Sequence, residues 1–147
     1  VKIAAALLAL ALPACMFSTP PPPIQTASGR PECMVPNAEP AAVLDYCASL
    51  LAADGWAPHA RTASELTMRR EFADGALDFY LTKEVWIVAT ARDGGTHVAG
   101  HRVSISRPGT PHESRFDHGD GGGNYALWDE YLRHVPEHFA ATATASK

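Results

Sequence analysis

Residues Glu84 to Ser106 constrain the fold more than any other part of the chain. GluValTrpIleValAlaThrAlaArg (84–92) is apolar on both faces, AspGlyGly follows at 93–95, and His97 to Ser106 returns with Ala99, Val103 and Ile105 on alternate positions. A period of two on either side of a glycine turn is the pattern of a β-hairpin, and a strand apolar on both faces belongs in the middle of a sheet. The fold is therefore expected to contain an antiparallel sheet with 84–92 as a central strand.

Two further runs extend the sheet. Glu65 to Phe72 places Leu66, Met68 and Phe72 on one alternating face, interrupted by Arg70. Trp56 to Arg61 reads as a weaker strand, which Pro58 consigns to an edge because it lacks a backbone N–H. The segment 74–82 fits either a helical turn or a strand.

Helical periodicity appears on both sides of this β-rich middle. Asn37 or Glu39 followed by Pro40 marks a helix start, and Val43, Leu44, Cys47, Leu50 and Leu51 recur on one face. Gly55 suits the left-handed position after the helix, with Trp56 packing back on Leu51. Pro108 to Asn124 reads as a long loop, with Asn124 capping a final helix whose stripe is Tyr125, Trp128, Leu132, Val135 and Phe139. Pro136 should kink or end that helix, and the chain beyond Phe139 should fray. The expected class is α+β: an antiparallel sheet of about three to four strands packed by an N-terminal and a C-terminal helix.

The N-terminus speaks to compartment. Ile3 to Leu12 is a run of ten apolar residues, and at 1.5 Å per residue it covers only about half of a ~30 Å hydrocarbon core. With Lys2 before it and Ala14 after it, the run has the three regions of a secretory signal peptide. Leu12, Pro13, Ala14 and Cys15 resemble the lipobox of bacterial lipoproteins, although Pro13 stands where that family usually has a small or β-branched residue. The resemblance implies cleavage before Cys15, a diacylglyceryl group on its thiol and, with Met16 rather than aspartate next, an outer-membrane lipoprotein facing the periplasm. Residues 15–32, with prolines at 20–23, then read as a lipidated cysteine and a polyproline II tether. The expected division is a signal peptide at 1–14, this tether, a single domain at 33–141 and a disordered tail at 142–147.

If Cys15 is lipidated, Cys33 and Cys47 remain in an oxidising compartment, where cysteine arithmetic favours a disulfide between them. A net charge of −4 leaves no basic footprint for nucleic acid. The partners expected are the membrane, through the lipid, and an envelope protein or wall component.

Candidate chemistry is sparse. His97 and His101 share a strand face about 13 Å apart and cannot chelate one ion. HisValProGluHis, His134 to His138, matches the H-x-x-E-H string of inverzincin proteases, but Pro136 interrupts the helix such a site requires, and no ligand follows downstream. His134, His138, His112 and His118 remain the weak metal candidates. Asp117 to Asn124 lacks both the EF-hand order and a Walker lysine. Arg69 and Arg70 suit either a carboxylate or phosphate contact or a solvated strand surface. No nucleophile, base and orienter assemble, so no catalytic residue, metal or cofactor is expected. The reading is a non-catalytic binding or structural module, with a histidine-dependent metal-binding or hydrolytic envelope protein as the alternative.

Overall fold

The computed structural model describes residues 22–74, 79–117 and 122–145. Strand β1 (Glu32–Pro36) leads into helix α1 (Pro40–Ala53). Four strands follow: β2 (Ala57–Arg61), β3 (Glu65–Asp74), β4 (Phe79–Arg92) and β5 (Gly95–Ser106). A short β6 (Ser114–Asp117), helix α2 (Gly122–Glu130), a single 3-10 turn (Leu132–His134) and helix α3 (Val135–Ala145) complete the chain. Every pairing is antiparallel, in the order β1-β5-β4-β3-β2, with β6 also on β5. β1 and β6 share one edge of β5, opposite residues 95–99 and 103–106 respectively.

The class is α+β as expected, but the described sheet has six strands rather than three or four. β1 was hidden because GluCysMetValPro lies between prolines and adjoins the proline-rich stretch. β6, within the expected loop, is exposed along its whole length and so has no apolar alternation. Because β1 precedes it, α1 is not the N-terminal element. Residues 79–82 of the undecided segment are strand, and 75–78 lie outside the described residues.

Alternation sorts the core. Leu66 and Met68 of β3, Val85, Ile87 and Ala89 of β4, Val98 of β5 and Val35 of β1 are buried against Val43, Leu44, Cys47 and Leu51 of α1 and against Leu127, Leu132 and Val135. Each fully buried aliphatic side chain of this kind contributes roughly 1.5–3 kcal/mol. All the helices therefore lie on one face of the sheet, and Gly100 of β5 lets them approach. A methyl group there would stand 3.0 Å from Leu127 Cδ2 and 3.1 Å from Leu132 Cδ1.

The end of α1 follows the expected Schellman pattern. Gly55 has φ +82°, its N–H reaches Ala52 O, and Trp56 N–H returns to Leu51 O. The C-terminal region departs from expectation. Asn124 lies within the first turn of α2, and its Oδ1 accepts the Arg102 N–H at 2.8 Å instead of capping the helix. Leu127 and Tyr131 are buried, while Tyr125 and Trp128 are only partly so. Pro136 starts α3 rather than ending a helix, since a first-turn proline forfeits no intrahelical bond. That helix continues to Ala145, through residues 142–145 of the expected tail. At the other end, Ile24 is buried and Pro31 O accepts the Gly100 N–H, so residues of the expected tether pack on the domain.

The β4–β5 turn is locked to the β1–α1 connection. Asn37, at φ 54°, donates its N–H to Gly94 O, and Thr96 Oγ1 donates to Ala38 O at 2.6 Å. Gly94 supplies the turn's positive φ of +84°, whereas a Cβ at Gly95 would collide with the carbonyl of Val35. Gly94→Ala should cost about 1 kcal/mol of stability through backbone strain. Gly95→Ala should cost about 3 kcal/mol, because β1 must move. Urea denaturation of the two variants gives this ranking, and equal effects would refute the clamp.

Candidate functional site

The sheet face away from the helices buries Val103 and Ile105 among polar groups and is organised around one carboxylate. Glu84 stands at the centre of β4, opposite Arg69 on β3 and Val103 on β5. Arg69 donates to Glu84 Oε1 from Nη2 at 2.6 Å and from Nε at 3.2 Å, and Trp86 Nε1 donates to Oε2 at 3.0 Å. Arg115 Nη1 lies 3.6 Å from Oε2 and His59 Nε2 lies 4.0 Å from Oε1. With these groups around it, the Glu84 side chain is only 1% accessible.

Burial raises the proton affinity of this carboxyl. The hydrogen bonds from Arg69 and Trp86, with the charges of Arg69 and Arg115, outweigh it and hold the pKa below the usual value. Glu84 is therefore ionised at neutral pH and fully engaged. It is an electrostatic anchor for the face rather than a proton acceptor.

Beside it the Trp86 and His101 rings stack, with centroids 5.9 Å apart and planes at 22°. His101 Nε2 lies 4.0 Å from Asp117 Oδ2, and His97 Nε2 lies 3.2 Å from Glu32 Oε2. The Glu32 carboxyl also accepts the Ser28 N–H at 3.1 Å. Its pKa is lowered chiefly by bonding to Ser28, against the opposing effect of burial, with lesser help from His97. Where β1 stops and β6 begins along β5, a groove of about 460 Å³ opens, lined by Ser28, Arg30, Glu32, Val88, Gly100, His101, Asp117 and Asn124. Its backbone edge is satisfied, because Gly100 N–H reaches Pro31 O and Arg102 N–H reaches Asn124 Oδ1. The groove offers an apolar floor at Val88, an adjacent aromatic stack and polar groups of both signs.

The residues singled out in the sequence are scattered. His134 Nε2 lies 3.1 Å from Asp129 O and its Nδ1 lies 3.4 Å from Glu137 Oε2, whereas His138 stacks on Tyr46 with centroids 3.7 Å apart. The two histidines sit on different elements because Pro136 opens a new helix between them. His112 lies in the exposed connection before β6. His118 and Cys15 lie outside the described residues, as do residues 1–14. Among the described residues no three His, Cys, Asp or Glu side chains are placed to hold a metal ion.

The expected Cys33 to Cys47 disulfide is not formed, and both are free thiols. Cys33 Sγ donates to Leu132 O at 3.4 Å, and Cys47 faces the core from α1. Burial pushes both thiols up to about 12, so neither is a nucleophile at neutral pH.

Arg69 and Arg70, read together in the sequence, point to opposite faces. Arg69 serves Glu84, and Arg70 Nη1 donates to Asp54 O at the end of α1. The sequence pattern hides Glu84 as a site residue, because it stands at the start of the apolar run 84–92. The available signal was a lone carboxylate in the run LeuThrLysGluValTrpIleVal, where β4 actually continues upstream.

The fold and site define an α+β domain that covers one sheet face with helices and leaves a groove at the sheet edge, in the gap between β1 and β6 along β5. Comparison with known proteins finds no matching family model and no similar curated protein.

Glu84 has a testable pH signature. Its folded pKa lies below the ordinary value of 4.5, so its stabilisation is present above that pH and is lost as pH falls through the folded value. Glu84→Ala should cost about 3 kcal/mol at pH 7, and the gap to the parent should narrow on acidification to about pH 3. Denaturation at both pH values checks this, and a gap independent of pH would remove Glu84 as the anchor.

Proposed function

We propose that this chain is a bacterial envelope lipoprotein, anchored through a lipid on Cys15, whose domain is a non-catalytic binding module for an envelope protein or wall component. The anchor rests on the resemblance of Leu12 to Cys15 to a lipobox. The binding role rests on one observation, the groove beside Trp86 and His101 at the sheet edge between β1 and β6.

The chemistry of that face suits contact recognition. Glu84 is ionised and enclosed by its donors, Glu32 is held by Ser28 and His97, and Val88 is 37% exposed. A ligand entering the groove meets an aromatic stack and preformed polar groups, the combination by which concave sites fix orientation. Neither described cysteine is an accessible thiolate. The net charge of −4 favours a partner other than nucleic acid.

Two measurements test the two halves of the reading. Intact mass of the protein from the membrane fraction of a bacterial host should correspond to a chain that begins at Cys15 and carries acyl groups. Cys15→Ser should move the domain to the soluble fraction, and an unacylated parent mass would overturn the anchor. For the face, a photo-crosslinking residue at Val88 should give a discrete envelope adduct that the same residue at Ala60, on the exposed β2 edge, does not. Identical patterns from the two positions would overturn the groove as the binding surface.

A further inference from the structure

Part of the groove wall comes from outside the sheet. Ser28, Arg30 and Pro31, which line the groove together with Glu32, belong to the chain ahead of β1. This arm is built as a small turn of its own. Gly29, at φ +70°, donates its N–H to Thr26 O at 3.2 Å, Thr26 Oγ1 donates to Arg30 O at 2.7 Å, and Arg30 N–H reaches Ser28 Oγ at 3.2 Å. Each of these bonds closes within four residues, so the turn keeps them whether or not it lies on the sheet.

The ties from the arm to the body are few. Between residues 22 and 30 only Ile24 is buried, and Pro31 O accepts the Gly100 N–H at 2.9 Å. Glu32 spans the junction, accepting the Ser28 N–H at 3.1 Å while its other oxygen lies 3.2 Å from His97 Nε2. β1, by contrast, is paired with β5 from Glu32 through Pro36. A segment held by one buried side chain opens at a lower free energy than the strand it precedes, so the arm can leave the sheet while β1 stays.

We propose that residues 22–31 are a detachable arm, latched by Ile24, that completes the groove when docked, so that filling the groove and shortening the tether are one event. The groove half rests on the binding role proposed above, and the tether half on the Cys15 anchor. With the arm docked, the free chain runs from Cys15 to Ile24 and spans at most about 31 Å. With the arm released it runs to Pro31 and spans at most about 56 Å. A ligand that touches Ser28 and Arg30 binds only the docked form. By linkage it draws the domain's outer reach in by about 25 Å, and a shortened tether in turn favours the ligand.

Two experiments test the arm and the coupling separately. In the full chain carrying Cys15→Ser, hydrogen exchange under native conditions should be at least tenfold faster at the Ser28 and Gly100 amides than at Val85 and Ile87 in β4. Ile24→Ser should accelerate the first pair at least tenfold further while leaving the second pair and the urea midpoint in place. One common rate for all four amides would mean that the arm opens only on global unfolding, and would overturn the proposal. In the acylated chain with a photo-crosslinking residue at Val88, Ile24→Ser should lower the adduct yield at least fivefold. An insertion of about ten Gly and Ser residues between Ser18 and Thr19, which lengthens the tether and spares the arm, should lower it less. An undiminished adduct from a folded, acylated Ile24→Ser protein overturns the proposal, as does an insertion that acts as strongly as Ile24→Ser, since reach alone then explains the loss. No adduct from the parent overturns the binding role and the coupling with it, whereas the exchange comparison judges the arm by itself.

Discussion

Length sets the terms for the whole molecule. β4 has 14 residues and α1 also has 14, yet the strand extends about 45 Å and the helix only about 21 Å, because their rises per residue differ about twofold. The helices therefore cover one face of the sheet over part of its length and leave the rest of that face open. Where they do cover it, the fit is close. Gly100 admits Leu127 and Leu132, and Leu66, Met68, Val85 and Ile87 are sealed from water. Where they stop, the strands carry Arg70, Lys83 and Phe72 instead of core residues. Among the described residues the opposite face has no helix packed on it, and charged groups surround its buried Val103 and Ile105: Arg69, Glu84, Arg115, His97 and His101.

Such a face is stable only if its charges satisfy one another. Glu84 is the clearest case, an almost inaccessible carboxylate whose burial cost is offset by two guanidinium groups and an indole N–H. Its value lies in position, because it ties β3, β4 and β6 together across the sheet through Arg69 and Arg115. The groove beside it inherits that rigidity. Trp86, which donates to Glu84, also stacks on His101 at the groove's wall.

Several parts of this arrangement were legible in the sequence, each because a local rule specified it. The hairpin at 93–95, the α1 stripe and the Gly55 cap are short-range patterns, and the structure contains them. The edge strand at Pro58 is present too, with an irregular register between Pro58 and Ala60. What escaped detection depended on long-range partners. β1 and β6 are strands only because β5 offers them an edge, and their own residues have no clear period. Pro136 was read as a helix breaker because its role depends on where the preceding turn ends. The groove was the least legible feature, since Glu32, His101 and Asp117 come from three strands that only the topology brings together.

The adjacent arginines carry a consequence for folding. Because neighbouring strand residues face opposite sides, a slip of β3 by one position against β4 would exchange the sides of Arg69 and Arg70. Arg70 would then share the Glu84 face in place of Arg69, but Leu66 and Met68 would turn away from the helices while Thr67 and Arg69 turned in. A single misalignment would thus be penalised on the core face, where apolar side chains leave and polar ones enter. Strand alignment is therefore carried by the apolar alternation of β3, while the paired arginines let the charged face accept either neighbour.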